Sequence, residues 1–285
     1  MTVSNNPLRQ YFRRPAVHLK LPSLGKYYTS EIVNVPETGE LPVYPMTAID
    51  EITSKTPDAL YNGSAMVEII KSCIPDIKDP WLINNIDFDA ILIAIRASST
   101  GNSMEIESKC PKCNESELFG VDLLSILSQM KTGDYDKEMP INELKVKFKP
   151  LTYKEMNAAG LAQFAIQREF IQLSSETADE KTLSEEERQA KIKRGQDALK
   201  AVTMLTIDIL VNTIEYIQTP TVRVTEKEHI SDFLKNCDKK IYEAMRDFNA
   251  ALKTQTDIKP LKLKCVHCSN EYEQPFTLNT SDFFG

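Results

Sequence analysis

Apolar and polar positions make their longest regular pattern in the second half of the chain. Apolar residues recur at three- and four-residue steps from Tyr153 to Leu173, and again from Ser184 to about Ile217, as in helices that bury one side. Ser184-Glu185-Glu186-Glu187 predicts a capping box for the second of these, which at ~34 residues would run roughly 50 Å, with Gly195 weakening its first third. Pro220 ends it, and Thr221–Val224 reads as a brief strand. Thr225-Glu226-Lys227-Glu228 then caps a third helix running to about Lys253, with Ile230, Phe233, Leu234, Cys237, Ile241, Met245 and Phe248 along one side. Three long helices in succession predict a helical hairpin or bundle.

The first half is written in shorter pieces. Val17-His18-Leu19-Lys20-Leu21 alternates as a strand does. Residues 27–46, with Pro36, Gly39, Pro42 and Pro45, form a turn-rich connector with extended stretches such as Glu31–Val35. Thr47-Ala48-Ile49-Asp50 predicts a helix start, limited by Pro57. Ser64 to Ile74 carries Met66, Ile69, Ile70 and Cys73 at core spacing and is stopped by Pro75. After the Pro80-Trp81 bend, Phe88 to Arg96 is apolar nearly all round, which places it in a core. Its run Ala90–Ile95 falls far short of the ~20 residues of a membrane span. With no secretory signal in view at Met1–Pro7, the sequence reads as that of a soluble protein made in the cytosol.

Charge sets one segment apart. The 285 residues carry a formal net charge of −7, yet residues 1–26 hold Arg9, Arg13, Arg14, Lys20 and Lys26 and no acid. In this basic arm Arg9, Tyr11, Phe12, Arg13 and Arg14 are residue types favoured as interface anchors and are the candidate partner-binding set; the alternative is a segment that pads its own domain. Nine glycines and three histidines leave little for phosphate-cradling loops or histidine catalysis. No Gly-x4-Gly-Lys-Ser/Thr, Gly-x-Gly-x-x-Gly, His-Glu-x-x-His or Gly-x-Ser-x-Gly motif is present. His18 reads as a strand residue and His229 as a surface one. The sequence offers no catalytic set, so the expected protein is not an enzyme.

The chemistry lies in the cysteines. Cys110-Pro111-Lys112-Cys113 and Cys265-Val266-His267-Cys268 are two Cys-x2-Cys knuckles, each set in a short run of alternating apolar and charged residues (105–121 and 261–278). A Cys-x2-Cys turn lets two thiolates meet one ion, and two turns complete the S4 shell that zinc favours. Asn114 and Asn270 are types that tolerate the left-handed backbone needed past a knuckle. The expectation is one structural Zn2+ held by Cys110, Cys113, Cys265 and Cys268. Unrelated reduced pairs and a redox dithiol are the alternatives, and a catalytic zinc is disfavoured because four thiolates leave no open position. His267 is expected to point away from the ion, and Cys73 and Cys237 to be buried thiols. The knuckles stand roughly 150 positions apart, where a free-standing zinc ribbon has ~15–20, so the helical region reads as an insertion whose two ends the ion fastens. Lys109, Lys112, Lys262 and Lys264 balance Glu115, Glu117, Glu271 and Glu273 across the ribbon, which speaks against nucleic acid as its partner. A zinc-ribbon nucleic-acid-binding accessory factor is the second reading.

Several phrases are more specific. Asn6-Pro7-Leu8-Arg9-Gln10-Tyr11-Phe12-Arg13-Arg14-Pro15, Leu21-Pro22-Ser23-Leu24-Gly25-Lys26-Tyr27-Tyr28, Leu41-Pro42-Val43-Tyr44-Pro45-Met46-Thr47-Ala48, Lys55–Leu60, Asp89–Arg96 and the Cys-Pro-Lys-Cys knuckle resemble the baseplate protein family of T-even-like contractile-tailed phages. The resemblance covers about residues 6–125; relative to the family's usual length, the helical region is extra. It implies a baseplate hub component or hub-assembly chaperone, made in the host cytoplasm and working through other baseplate proteins, with no catalytic residues, small-molecule substrate or membrane span.

The sequence thus predicts an α+β, mainly helical chain. Residues 1–46 form the arm and extended connector, 47–104 a helical core domain, 105–125 with 259–285 a split zinc ribbon, and 126–258 the helical insertion.

Overall fold

The computed structural model describes residues 6–56, 62–175 and 184–276. The stop expected at Pro57 lies outside them, as do most of the acidic stretch after Ser175 and the end of the second ribbon segment. Helices and small antiparallel sheets make an α+β chain. It divides into two compact units: residues up to Thr132 with those from Thr256 onward, and Gly133–Gln255.

The first unit is built around a buried helix. Strands β1 (Val17–Leu19) and β2 (Leu41–Val43) pair antiparallel, and α1 (Ala48–Ser54) starts at the capping box of Thr47 and Asp50. Helix α2 (Ser64–Cys73) buries Met66, Ile69, Ile70 and Cys73. Helix α3 (Asn85–Thr100) is buried on most sides because α2, β1, β2 and the short α4 (Leu123–Gln129) lie against it.

Two polar knots tie this core together. Asp87, wholly buried, accepts from Ser23 N–H (2.9 Å), Tyr28 O–H (2.6 Å), Asn84 Nδ2 (3.0 Å) and the Ser23 hydroxyl. Burial pushes its carboxyl upward, and these donors oppose the shift. The Leu21–Tyr28 phrase is therefore the segment that wraps the start of α3. Its turn passes through Leu24 and Gly25 at positive φ, and a Cβ on Gly25 would come within 2.9 Å of Val35 Cγ2. The second knot is centred on Arg13. Its guanidinium donates to Ser72 O (2.7 Å), Ser72 Oγ (2.8 Å) and Pro45 O, and meets Asp50 Oδ2 at 3.4 Å.

The second unit adds a sheet to the helical reading of residues 126–258, in which only Thr221–Val224 was expected to be extended. It holds a four-stranded antiparallel meander of β5 (Glu138–Ile141), β6 (Leu144–Phe148), β7 (Ile214–Gln218) and β8 (Arg223–Val224). Val146 and Phe148 are buried on alternate positions of β6, a period-two signal that the neighbouring helices overshadowed. Helix α5 (Tyr153–Ser175) forms where expected, but α6 (Glu185–Thr213) stops before Ile214. The β-branched residues there serve the sheet instead, with Ile214 and Ile217 buried in β7. Lys227 Nζ caps the freed end of α6, donating to Val211 O (2.7 Å) and Ile214 O (2.8 Å).

The third helix is two: α7 (Lys227–Asn236) and α8 (Lys239–Thr254). Asp238 breaks the run by capping α8, its Oδ1 accepting from Lys240 N–H at 2.7 Å. Cys237 sits at this break, half-buried rather than in the core, while Ile230, Leu234 and Met245 are buried as their spacing required.

Candidate metal centre

Each knuckle is the tip of a β-hairpin. Strands β3 (Ser103–Lys109) and β4 (Ser116–Asp122) flank the first, and β9 (Leu261–Lys264) and β10 (Glu271–Gln274) the second. The tips match closely. Cys110 N–H donates to Glu115 O at 2.9 Å and Cys265 N–H to Asn270 O at 3.0 Å; Asn114 N–H reaches Cys110 O, and Ser269 N–H reaches Cys265 O, both at 2.9 Å. The left-handed positions are Asn114 (φ 62°) and Ser269 (φ 56°), each immediately after its second cysteine. The second tip thus uses Ser269, not Asn270, because the turn's geometry fixes the position whatever residue fills it.

The two tips bring four sulfurs together. Cys110 and Cys268 Sγ lie 3.7 Å apart, Cys113 and Cys265 Sγ 3.6 Å, and all four fall within 4.8 Å of one another. Zinc–sulfur bonds of about 2.3 Å place tetrahedral sulfurs about 3.8 Å apart, so the group has the size of a zinc shell and is far too open for disulfides at about 2.05 Å. Cys110 and Cys265 are buried, and the other two are partly so. The Cys113 and Lys112 N–H groups lower Cys110 to about 6. The Glu115 N–H favours a thiolate at Cys113, but burial and the neighbouring thiols outweigh it and push Cys113 up to about 12. His267 is exposed and outside the group.

Contacts behind the tips join the two hairpins without any ion. Ser108 Oγ shares a hydrogen bond with Tyr272 OH at 3.0 Å and donates to Gln274 Oε1 at 3.0 Å, while Val266 N–H donates to Glu117 Oε2 at 3.2 Å. These partners escaped the sequence reading because no spacing rule links residues so distant; only the burial of Ser108 on an otherwise half-exposed strand marks them.

A family model described as the T4 bacteriophage base plate protein matches residues 15–285. The chain belongs to that family. The base plate protein match takes in both knuckles, the Ser23–Asp87 knot and the whole helical region, so the latter falls within the family's span although its phrases carry no resemblance of their own. No curated protein and no solved structure matches the chain. Among the described residues no helix is long and apolar enough to cross a membrane.

The five arm candidates lie just before the family match and divide into two kinds. Pro7–Tyr11 forms a short 3-10 turn capped by Asn6, leaving Arg9, Tyr11, Phe12 and Arg14 exposed, Tyr11 by 77%. Arg13 turns inward to Ser72 and Asp50 and fixes the arm to the first unit.

Proposed function

We propose that this base plate protein is a non-enzymatic hub component or hub-assembly chaperone that works through protein surfaces, with Cys110, Cys113, Cys265 and Cys268 holding one structural Zn2+ in a split zinc ribbon. The observation that carries the reading is the four-sulfur group joining two hairpins of a baseplate-family chain. Four thiolates close a zinc shell and leave no position for substrate or water, so the ion fastens rather than reacts. The exposed Tyr11 and Phe12, with Arg9 and Arg14 around them, form the docking element toward other baseplate proteins, and Arg13 is its tether. Assembly takes place in the host cytoplasm.

Quantitative mass spectrometry of purified virions, with and without a disrupted gene for this chain, tests the proposal. Stoichiometric presence identifies a hub component. Absence from virions, with baseplates that fail to form without the chain, identifies a chaperone. Normal baseplates in its absence would overturn both. The nucleic-acid alternative requires salt-sensitive binding, which the four-against-four charge balance of the ribbon does not favour.

A further inference from the structure

Ser108 and Glu117 stand directly opposite each other in the β3–β4 pairing, so their side chains share one face of the first hairpin. Both reach the second hairpin, which belongs to the same unit, and they reach it at different heights. Ser108 meets β10 behind the tip, at Tyr272 and Gln274, alternate residues that project from one face of that strand. Glu117 meets the tip itself, accepting from the N–H of Val266 beside Cys265. A third contact lands on a cysteine: Asn270 Nδ2 lies 4.0 Å from Cys110 Sγ, while Asn270 O accepts from Cys265 N–H.

The protons around Ser108 follow from counting. A hydroxyl carries one proton. Ser108 gives its own to Gln274 Oε1, so the Tyr272 hydroxyl is the donor to Ser108 Oγ. Ser108 is 3% exposed and is the buried residue of β3. A serine buried at that point is accommodated because its proton and a lone pair are both used by the other hairpin. Ser108, Glu117 and Tyr272 lie outside the four-sulfur group, yet Ser108 comes two residues before Cys110.

Where an ion alone gathers its ligands, metal-binding free energy is folding free energy. Contacts that do not involve sulfur change that order. We infer, on the metal reading above, that Ser108 and Glu117 are positioning residues that dock the two hairpins before the ion arrives, so that Zn2+ loads onto a folded first unit. Contacts at two heights fix both the spacing and the rotation of the hairpins, which one contact would leave free. The ion then locks a pair already in register.

The test uses the full chain, stripped of metal under reducing conditions, with Co2+ as the probe because tetrahedral thiolate coordination gives that ion strong visible absorption. In stopped flow the parent is expected to bind in one phase whose rate rises linearly with Co2+, as a site already formed requires. A rate that levels off marks hairpins that must first find each other. Glu117→Ala and Tyr272→Phe should each bring that levelling and weaken Co2+ binding about tenfold. The final spectrum stays that of the parent, since all four ligands remain. Glu117→Gln loses the charge but keeps an acceptor for Val266 N–H, and should bind as the parent does. Tyr272→Phe removes one hydroxyl from a half-buried ring, and circular dichroism of each metal-free variant checks that it is folded. A levelling rate in the parent, a Gln variant that behaves as the Ala one, or Ala and Phe variants that match the parent would overturn the positioning role, while tetrahedral absorption leaves the metal reading standing. A parent that never develops that absorption overturns both.

Discussion

Cys113 and Cys265 meet at 3.6 Å between their sulfurs although 152 positions separate them in the chain. Closing so long a loop costs conformational entropy that grows slowly with length, and a metal bond that holds it shut is correspondingly effective. Metal analysis of the purified protein is expected to give one zinc per chain. In Cys110→Ser with Cys265→Ser the zinc is lost, and amide exchange quickens in residues 103–122 and 261–274 while α5 and α6 keep their protection. Unchanged exchange in the hairpins of the zinc-free variant would sink the fastening role.

Tyr28 both donates to Asp87 and accepts the Asn84 N–H, at 2.6 and 3.1 Å. Tyr28→Phe therefore leaves a buried carboxylate short of a donor and a buried N–H short of an acceptor, and should cost about 1–3 kcal/mol. Denaturant unfolding of Tyr28→Phe, Asp87→Asn and the double variant checks this. The two costs should couple rather than add, because both belong to one network.

Arg13 and its neighbours in the arm should separate stability from docking. Arg13→Ala removes donors from Ser72 and leaves Asp50 without its guanidinium, at an expected cost of about 1–3 kcal/mol. Tyr11→Ala with Phe12→Ala touches only exposed side chains, stays within about 0.5 kcal/mol of the parent, and should lose incorporation in a baseplate assembly assay. Assembly unaffected by the double variant would remove the arm as the docking element.

Glu155 gives the helix start of α5 a pH dependence. Burial raises its carboxyl, but the Thr152 N–H and the Lys149 ammonium outweigh burial and hold it below the ordinary 4.5. A depressed folded value means stability that is fully present above 4.5 and is lost as pH falls through the lower folded value. The stability gap between the parent and Glu155→Gln should therefore be widest near about pH 6 and narrow toward about pH 3, as measured by urea unfolding at each pH. A gap that widens on acidification contradicts the assignment.

Local rules reached most of the elements and stopped at the long-range ones. The capping boxes at Thr47 and Ser184, the buried helix around Ile91 and the two knuckles were legible because each is set by neighbours within a few residues. Of the meander only its last strand was, within the extended stretch Thr221–Val224. Its strand β7 continues without a break from α6, and only pairing with β6 decides that Ile214 leaves the helix. The break at Asp238 had a local signal, an N-capping residue inside an amphipathic run, which the continuous apolar stripe outweighed. At the metal centre the sequence named the four sulfurs, whereas Ser108, Tyr272 and Glu117 are recognisable only once the hairpins are side by side.

The distance along the chain between the two knuckles also acts in time. At about 5–20 residues per second of synthesis, Cys113 leaves the ribosome roughly 8–30 s before Cys265. Until then the first hairpin can offer a metal only half a shell, and a chain whose synthesis stops early never completes it. The four-sulfur group therefore closes only on chains that have already supplied the entire helical unit.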